Sequence, residues 1–209
     1  IRDRYMSVRD TSLDLPILES AKTEFRKMGF EKSSLKEIAE KAGVTTGAIY
    51  KRYNGKEDLF CAVVESCINR MQEVFEQKKR VDYSLYSDQQ LKQCWKMDFD
   101  YMMWWFNILF EYKDEFVLLL TCSAGTKYEN FGHDWVEQMT NETWRCYEEM
   151  FSRKLTTVVI SKKELHTMLT SFWTTIYEPF IHEFSKGEIK KFSELVCRMF
   201  NWEKVFEIK

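Results

Sequence analysis

Proline, glycine and histidine are scarce in this chain of 209 residues, which has 2 Pro, 7 Gly and 3 His. Long segments without helix-breaking residues favour an all-α fold over a turn-rich β fold. None of the three histidines is spaced with another His or a Cys as in zinc sites, so no metal site is expected. No apolar run reaches the roughly 18 residues of a membrane span, and no secretory segment stands near the start.

The motifs of common enzyme chemistries are also missing. The sequence has no GxSxG, no GxxxxGK[ST] and no GxGxxG, and His182 with Glu183 lacks the order of HExxH. We therefore expect no enzyme activity and no cofactor. Hydrophobic residues make up 44% of the chain and aromatic residues 16%, which is enough for a sizeable core.

The six cysteines stand singly, without CxxC spacing. This pattern predicts reduced, buried thiols in a cytoplasmic protein. A redox-sensing thiol is the alternative. Cys61 and Cys67 lie six residues apart on a predicted helix, hence on different faces, which argues against a local disulfide but leaves pairing between subunits open.

Charge is distributed unevenly along a chain whose net charge is only −2. Residues 1–56 carry 12 Lys and Arg against 8 Asp and Glu, or +4, whereas residues 57–209 carry −6. A basic N-terminal part and an acidic remainder fit local contact with nucleic acid rather than a wholly cationic protein.

Helix-start signals divide the chain into about nine predicted helices and no convincing strand. Helix one is predicted to end at Gly29, and Pro179 is expected to kink a later helix. A fifth helix is predicted to run unbroken from Ser87 through the aromatic segment that follows. Three predicted capping boxes pair a serine with an acid or amide three residues on: Ser34 with Glu37, Ser87 with Gln90, and Ser161 with Glu164.

Residues 39–49 have the pattern of a helix-turn-helix. Two helices that cross at a sharp angle need a small residue at their closest approach, which Ala39 provides. The turn needs positive φ, which Gly43 adopts without strain, and Ile49 would hold the second helix on the first.

The segment "ILESAKTEFRKMGFEKSSLKEIAEKAGVTTGAIYKRYNGKEDLF", residues 17–60, resembles the TetR/AcrR family of bacterial transcriptional regulators. The shared features are a first helix ending in Gly-Phe, a hydroxyl before helix two, Ile-Ala, Ala-Gly-Val, a recognition helix of small residues, an aromatic pair and Lys-Glu-x-Leu. The resemblance implies a three-helix DNA-binding domain at 1–56, with a flexible arm at 1–13. A larger helical bundle at 57–209 would bind ligand and form the dimer.

The resemblance places the start of the recognition helix on DNA. Small residues let its N-terminus approach the major groove, and threonines offer a hydroxyl to phosphates or bases and a methyl to thymine. Tyrosines, lysines and the serines before helix two would contact phosphates. The predicted DNA-binding residues are Ser33, Ser34, Thr45, Thr46, Gly47, Tyr50, Lys51, Tyr53 and Lys56, with Arg52 as a further candidate.

Several of these residues have plain structural alternatives. Thr45 could only cap the recognition helix, and Tyr50 could pack against helix one. Lys51 and Lys56 could be ordinary surface charges, as could Arg52.

The segment 95–112, "WKMDFDYMMWWFNILFEY", is strongly aromatic and is predicted to be central and buried. It could line an apolar pocket for a planar or cationic compound, with Asp98 as a buried acid that selects a cation. Aromatic residues at helical spacing can equally be core, and Asp98 can equally pair with a Lys or Arg. The predicted ligand-binding residues are Trp95, Asp98, Phe99, Met102, Trp105, Phe106 and Trp173.

The resemblance further implies that the last two helices pair with their copies in a homodimer. Any packed helix has an apolar stripe, so this pairing follows from the resemblance alone. The predicted dimer residues are Phe172, Ile176, Phe180, Phe192, Leu195, Val196 and Met199.

The expected function is a dimeric DNA-binding regulator, a repressor that leaves a palindromic operator when a small-molecule effector binds. A regulator without an effector, or one switched by cysteine oxidation on the same frame, is the alternative.

Overall fold

The computed structural model describes residues 12–208 and consists of helices joined by short connections. Within that range no strand occurs, and the β-like run at 156–161 is a non-helical connection. A 3-10 turn lies at Tyr83–Leu85. The helices are α1 (Asp14–Lys32), α2 (Leu35–Lys41), α3 (Thr46–Tyr50), α4 (Lys56–Lys79), α5 (Asp88–Gln93), α6 (Phe99–Glu111), α7 (Lys113–Thr121), α8 (Phe131–Ser152), α9 (Lys162–Ile181), α10 (Lys186–Met199) and α11 (Trp202–Val205).

The all-α fold is confirmed, but residues 12–208 hold eleven helices where about nine were predicted. The predicted unbroken fifth helix is in fact two, because the chain leaves the helical path at 94–98. Asp98 is the N-cap of α6, and its side chain accepts a hydrogen bond from the Tyr101 N–H at 2.9 Å. Asp side chains compete with the helix for backbone groups and therefore favour caps over helix interiors. The short helix α11 was not predicted.

Two of the three predicted capping boxes form, at Ser87–Gln90 and Ser161–Glu164. The third does not, because Ser34 precedes α2 without a capping hydrogen bond from its side chain. An unpredicted box joins Ser185 to Glu188 at the start of α10, so Gly187 lies inside this helix instead of separating two helices. Pro179 lies inside α9.

Three tryptophans form the centre of the C-terminal part. The rings of Trp105 and Trp173 meet edge to face with centroids 4.8 Å apart. Trp135 contacts both, at 6.0 Å from Trp105 and 5.4 Å from Trp173. Because these residues come from α6, α8 and α9, the edge-to-face contacts join three helices in one core.

The end of α1 is the joint between the N-terminal helices and the rest of the fold. Gly29 has φ of +72°, which breaks the helical path and turns Phe30 back towards the core. Phe30 and Phe25 contact Phe60 of α4 at centroid distances of 5.6 and 5.1 Å. The Phe30 N–H also donates to the Cys122 carbonyl, after α7, at 2.9 Å.

The predicted N-terminal arm, 1–13, lies outside the described residues except for its last two positions. The proposed domain boundary at 56/57 falls in the first turn of α4, so this helix belongs to both predicted parts, and the division stays a hypothesis. Among the helices at residues 12–208, none has the length and apolarity to cross a membrane.

The substitution Phe60→Ala should strongly destabilise the fold. Phe60, in α4, is fully buried against α1, so the change leaves a cavity and removes its ring contacts with Phe25 and Phe30. We expect a loss of about 3–5 kcal/mol in the free energy of unfolding, measured by urea denaturation. Phe151→Ala, at a ring that is 41% exposed, is the control and should cost about 1 kcal/mol or less. Equal losses of stability in the two variants would contradict the claim that the contacts of Phe60 stabilise the junction of α1 with α4.

Candidate nucleic-acid interface and ligand cavity

Helices α2 and α3 form the helix-turn-helix that the pattern predicts. Ala39 is 3% exposed and Ile49 is fully buried, so both lie in the packed interface. Gly43 adopts φ of +68° in the turn, and the following N–H, of Val44, donates to the Ala39 carbonyl at 2.9 Å. The residues expected to make the turn therefore do so.

The outer surface of α3 carries most of the predicted DNA-binding residues. Thr45 is exposed and is also the N-cap of α3, since its Oγ1 accepts from the Ala48 N–H at 3.2 Å. Tyr50 is 59% exposed, so it does not pack against helix one. Gly47 and Lys51 are exposed, and Thr46 is half-buried. These residues make the outer surface of α3 polar, with a cation at its C-terminal end.

Tyr53 and Arg52, next to this surface, are engaged in contacts within the protein. Tyr53 is 8% exposed, which leaves little of it for the predicted phosphate contact. The Arg52 Nε donates to the Asp14 carboxylate at 2.7 Å, and its Nη1 donates to the Ala48 carbonyl at 3.2 Å. Arg52 therefore ties α3 to the start of α1 instead of being a solvated surface charge.

Lys56 connects the start of α4 to the end of α1. Its Nζ donates to the carbonyls of Glu31 and Ser33, at 2.9 and 3.1 Å, and lies 4.6 Å above the Phe30 ring. The Ser33 hydroxyl donates to the Phe30 carbonyl at 2.6 Å, and Ser34 is half-buried beside it. Lys56 thus completes the C-terminal turn of α1, where unpaired carbonyls favour a cation.

The predicted ligand-binding residues divide into three groups. Met102, Trp105 and Phe106 are buried in the packed core. Asp98 is not a buried acid: it caps α6, and its carboxylate lies 3.6 Å from Lys96. The alternative, that Asp98 pairs with a lysine or arginine, is therefore the one that the structure supports, and its use as a cation selector is not. Trp95 and Trp173 do line a cavity, whereas Phe99 is half-buried outside it.

The cavity has a volume of about 50 Å³, room for one or two water molecules. The Trp95 indole N–H is buried without a well-aligned hydrogen-bond partner, and the sulfur of Cys146, a weak acceptor, lies beside it. Lys78, at the C-terminal end of α4, supplies a cation to the wall. The lining residues are Lys78, Cys94, Trp95, Lys96, Met97, Tyr101, Met139, Thr143, Leu169, Phe172, Trp173 and Trp202.

Four of the seven predicted dimer residues are core residues of a single chain. Phe172, Ile176, Phe180 and Val196 are at most 2% exposed, so the expectation that they face a partner is wrong. The ring of Phe180, for example, contacts Phe106, Phe110 and Phe116, because the apolar side of α9 faces its own core.

The other three predicted dimer residues lie at the surface of α10. Leu195 is 51% exposed and Met199 is 68% exposed. Phe192 is half-buried and packs against Phe184 at a centroid distance of 5.8 Å.

Contacts that the sequence did not predict hold α1 and α4 against α7 and the segment after it. Lys22 of α1 pairs with Glu115 at 2.7 Å, and Glu57 of α4 accepts from the Lys127 N–H at 2.8 Å. Desolvation by burial lowers the pKa of Lys22, but the hydrogen bond and the charge of Glu115 outweigh it, so the net shift of this pKa is upwards. No local pattern could indicate these pairs, because the partners lie 70 or more residues apart.

An open groove of about 700 Å³ between α8 and α9 was likewise not predicted. His133 and His166 line it with ring centroids 5.6 Å apart, and the Thr140 hydroxyl lies 3.2 Å from His166 Nδ1. Over residues 12–208 no three His, Cys, Asp or Glu side chains are grouped to hold a metal ion.

Comparison with known proteins agrees with the helix-turn-helix. The family described as "Bacterial regulatory proteins, tetR family" matches residues 17–63. The HTH-type transcriptional regulator TtgR of Pseudomonas putida is 46% identical over 50 residues, and the uncharacterized HTH-type regulator YfiR of Bacillus subtilis is 36% identical over 50. Either match spans 24% of this chain and 24% of the relative, so the chain covers about a quarter of these relatives' length.

Solved structures extend the likeness in fold to nearly the whole chain. A TetR-family regulator from Bordetella parapertussis 12822 has a TM-score of 0.61 at 14% identity, over 91% of this chain and 95% of that one. FadR from Bacillus subtilis, solved in complex with stearoyl-CoA, has a TM-score of 0.56 at 14% identity, over 90% and 97%. At these identities the likeness concerns the fold.

The substitution Lys56→Ala should destabilise the protein even without DNA. It removes a cation that donates to two carbonyls at the end of α1, so we expect a loss of about 1–2 kcal/mol in the free energy of unfolding, measured by urea denaturation. The control is Lys51→Ala, an exposed lysine nearby, which should change stability by less than about 0.5 kcal/mol. A Lys56→Ala protein as stable as wild type would show that the two hydrogen bonds do not matter.

Proposed function

Because residues 17–63 match the family of bacterial regulatory proteins described as tetR, we propose that this chain is a member of that family and a DNA-binding transcriptional regulator that acts in the cytoplasm. In this proposal it is a repressor and a homodimer, its operator is palindromic, and a small-molecule effector releases it. The observation that carries the proposal is the exposed, polar surface of α3 on a complete helix-turn-helix.

The surface of α3 suits the major groove of DNA. Gly47 leaves room for the backbone to approach the bases, and Thr46 offers a hydroxyl and a methyl group for base edges. Tyr50 and Lys51, both exposed, would contact phosphates on one side of the groove. Lys56 would act mainly by fixing α4 on α1, and from there it could still face a phosphate.

An effector is proposed to act through the aromatic cavity. The cavity is too small for most metabolites as it stands, so binding requires α4, α6, α8 and α9 to move apart. Lys78 lines the cavity at one end of α4, and Lys56 contacts α1 at the other end. Movement of α4 would therefore reach the helix-turn-helix directly. A planar, apolar compound with a hydrogen-bond acceptor for Trp95 fits the lining best.

The dimer is proposed to form through the outer surfaces of α9 and α10. The outer surface of α9 carries hydroxyls that bond back to their own helix, as Thr170 does to the His166 carbonyl and Thr174 to the Thr170 carbonyl. These hydroxyls already have a hydrogen-bond partner, so a second subunit could bury them at little cost in free energy. Leu195 and Met199 of α10 add exposed apolar area.

Selection of DNA fragments from a random duplex library by the purified protein tests the function. We expect one enriched near-palindrome with half-sites about 34–36 Å apart and an affinity that falls steeply with salt. Lys51→Ala should lower the salt slope by about 0.9 for each phosphate that the protein no longer neutralises, and Tyr50→Phe should weaken binding without changing the preferred sequence. Lys204→Ala, at an exposed lysine of α11, is the matched control and should bind as wild type.

If folded wild-type protein enriches no sequence, or if Lys204→Ala weakens binding as much as Lys51→Ala, the α3 surface is not the DNA-binding site. Enrichment that appears only after an acyl-CoA or another metabolite is added would instead identify a regulator that needs a co-repressor.

Leu195→Asp with Met199→Asp should convert the dimer into monomers. Two charges at these exposed apolar positions could not be buried in an interface without large cost. We expect sedimentation analysis to give about half the wild-type mass, with unchanged helix content by circular dichroism. Val159→Asp, 78% exposed between α8 and α9, is the control and should stay dimeric. A dimeric double variant would exclude this part of α10 from the interface.

A further inference from the structure

Two of the six cysteines lie on helices that pack together, although they are 52 positions apart in the sequence. Cys94 is at the C-terminal end of α5, where its Sγ also lies 3.3 Å from the Gln90 carbonyl. Cys146 is inside α8, which packs against α5. Cys94 lines the aromatic cavity beside Met139 and Thr143 of α8, and Cys146 follows Thr143 on the same helix by about one turn. A weak hydrogen bond between the two thiols accounts for the opposite shifts of their pKa values. Sequence spacing alone could not indicate this pair.

The members of the pair have different environments. Cys94 is exposed, whereas Cys146 is 3% exposed. The hydrogen bond from Cys146, helped by the positive charge of Lys78, lowers the pKa of the Cys94 thiol below its ordinary value, even against partial burial. The same hydrogen bond and burial raise the pKa of the Cys146 thiol. Cys94 is therefore the thiol that ionises first and meets solvent.

The other thiols lack this combination. Burial raises the pKa of the Cys61, Cys67 and Cys197 thiols, which leaves less of each as the reactive thiolate. Cys197 is half-buried on α10 and is therefore a useful comparison for Cys94.

We propose that Cys94 and Cys146 form a peroxide-sensitive pair that closes into an intrachain disulfide at the wall of the aromatic cavity. The proposal does not depend on DNA binding. It rests on the contact between the two thiols, on the access of solvent to one of them, and on a cation beside the pair.

The chemistry needs only a hydroperoxide. The Cys94 thiolate attacks the terminal peroxide oxygen and the O–O bond breaks, which leaves a sulfenic acid on Cys94. The leaving group, hydroxide from hydrogen peroxide or alkoxide from an organic hydroperoxide, takes up a proton. Cys146, losing its proton, then attacks the Cys94 sulfur, so that an S–S bond forms and the sulfenic oxygen leaves as water. Overall two thiols and one hydroperoxide give a disulfide, an alcohol or water from the peroxide, and one water.

A disulfide between Cys94 and Cys146 would affect the cavity because of where Cys94 lies. Cys94 begins the connection 94–98 between α5 and α6, and Trp95 beside it lines the cavity. A disulfide to α8 would fasten this connection, and with it one wall of the cavity. Oxidation would then add a covalent bond to the ion pair of Arg153 with Asp88, which already joins the end of α8 to α5, and would hold the cavity in one shape.

The test treats the full chain with one equivalent of hydrogen peroxide and maps its thiols by mass spectrometry after alkylation. We expect the loss of two free thiols, one cross-linked peptide pair containing Cys94 and Cys146, and full reversal by dithiothreitol. Cys94→Ser should abolish the disulfide. Cys146→Ser should instead leave a sulfenic acid on Cys94 that dimedone traps. Cys197→Ser, the matched control, should behave as wild type.

Two results would overturn the proposal. One is a wild-type protein in which Cys94 is oxidised no faster than Cys197. The other is a disulfide of Cys94 to a cysteine other than Cys146, or to a second chain. Circular dichroism of each serine variant checks that an absent disulfide does not reflect an unfolded protein, and dimedone labelling of Cys94 in Cys146→Ser tests the first step without requiring the second.

Discussion

The hydrogen bonds from Lys56 to the last carbonyls of α1 are the interaction on which the relation between the two parts of the fold depends. They fix the start of α4 at the end of α1, where Gly29 turns the chain and Phe30 packs on Phe60. The same turn donates a backbone hydrogen bond to Cys122 behind α7. Together with the pairs Lys22–Glu115 and Glu57–Lys127, this joint sets the orientation of the helix-turn-helix towards the remaining helices.

From this joint, α4 extends along the molecule to the aromatic cavity. Its 24 residues span about 36 Å, with Lys56 at one end and Lys78 in the cavity wall at the other. A rigid helix that contacts both places gives each place a means of influencing the other, since displacement at one end moves the other end. The pairs Lys22–Glu115 and Glu57–Lys127 place α7 and the segment after it on the same route.

Much of the N-terminal part could be predicted because its signals are local. The turn at Gly43, the cap at Thr45 and the burial of Ile49 each depend on a few neighbouring residues, and each lies where the pattern placed it. The same local reasoning failed at Ser34, which has the sequence of a capping box but not its hydrogen bond. It also failed at Tyr53, which is buried, because the local pattern does not state which of two nearby tyrosines faces the core.

The C-terminal part was harder to predict, because sequence patterns there do not state whether one side of a helix faces the core of its own chain, a second chain or solvent. The apolar stripe of α9 is present as predicted. A stripe does not state whether it packs against a helix of the same chain or against a second chain. Phe172 and Ile176 are buried within their own chain. Asp98 was placed on a helical stripe, whereas its side chain ends that periodicity by capping α6. That Cys94 and Cys146 come near each other depends on the packing of α5 against α8, which no local pattern indicates.

The most direct test of the central claim, that α3 is the surface that enters DNA, is amide hydrogen exchange of the protein with and without its selected duplex. The account predicts that DNA slows exchange in the peptides that cover 44–54, while the core peptides of α8 and α9 are unchanged. Slower exchange confined to helices beyond α4, with residues 44–54 unaffected, would contradict it.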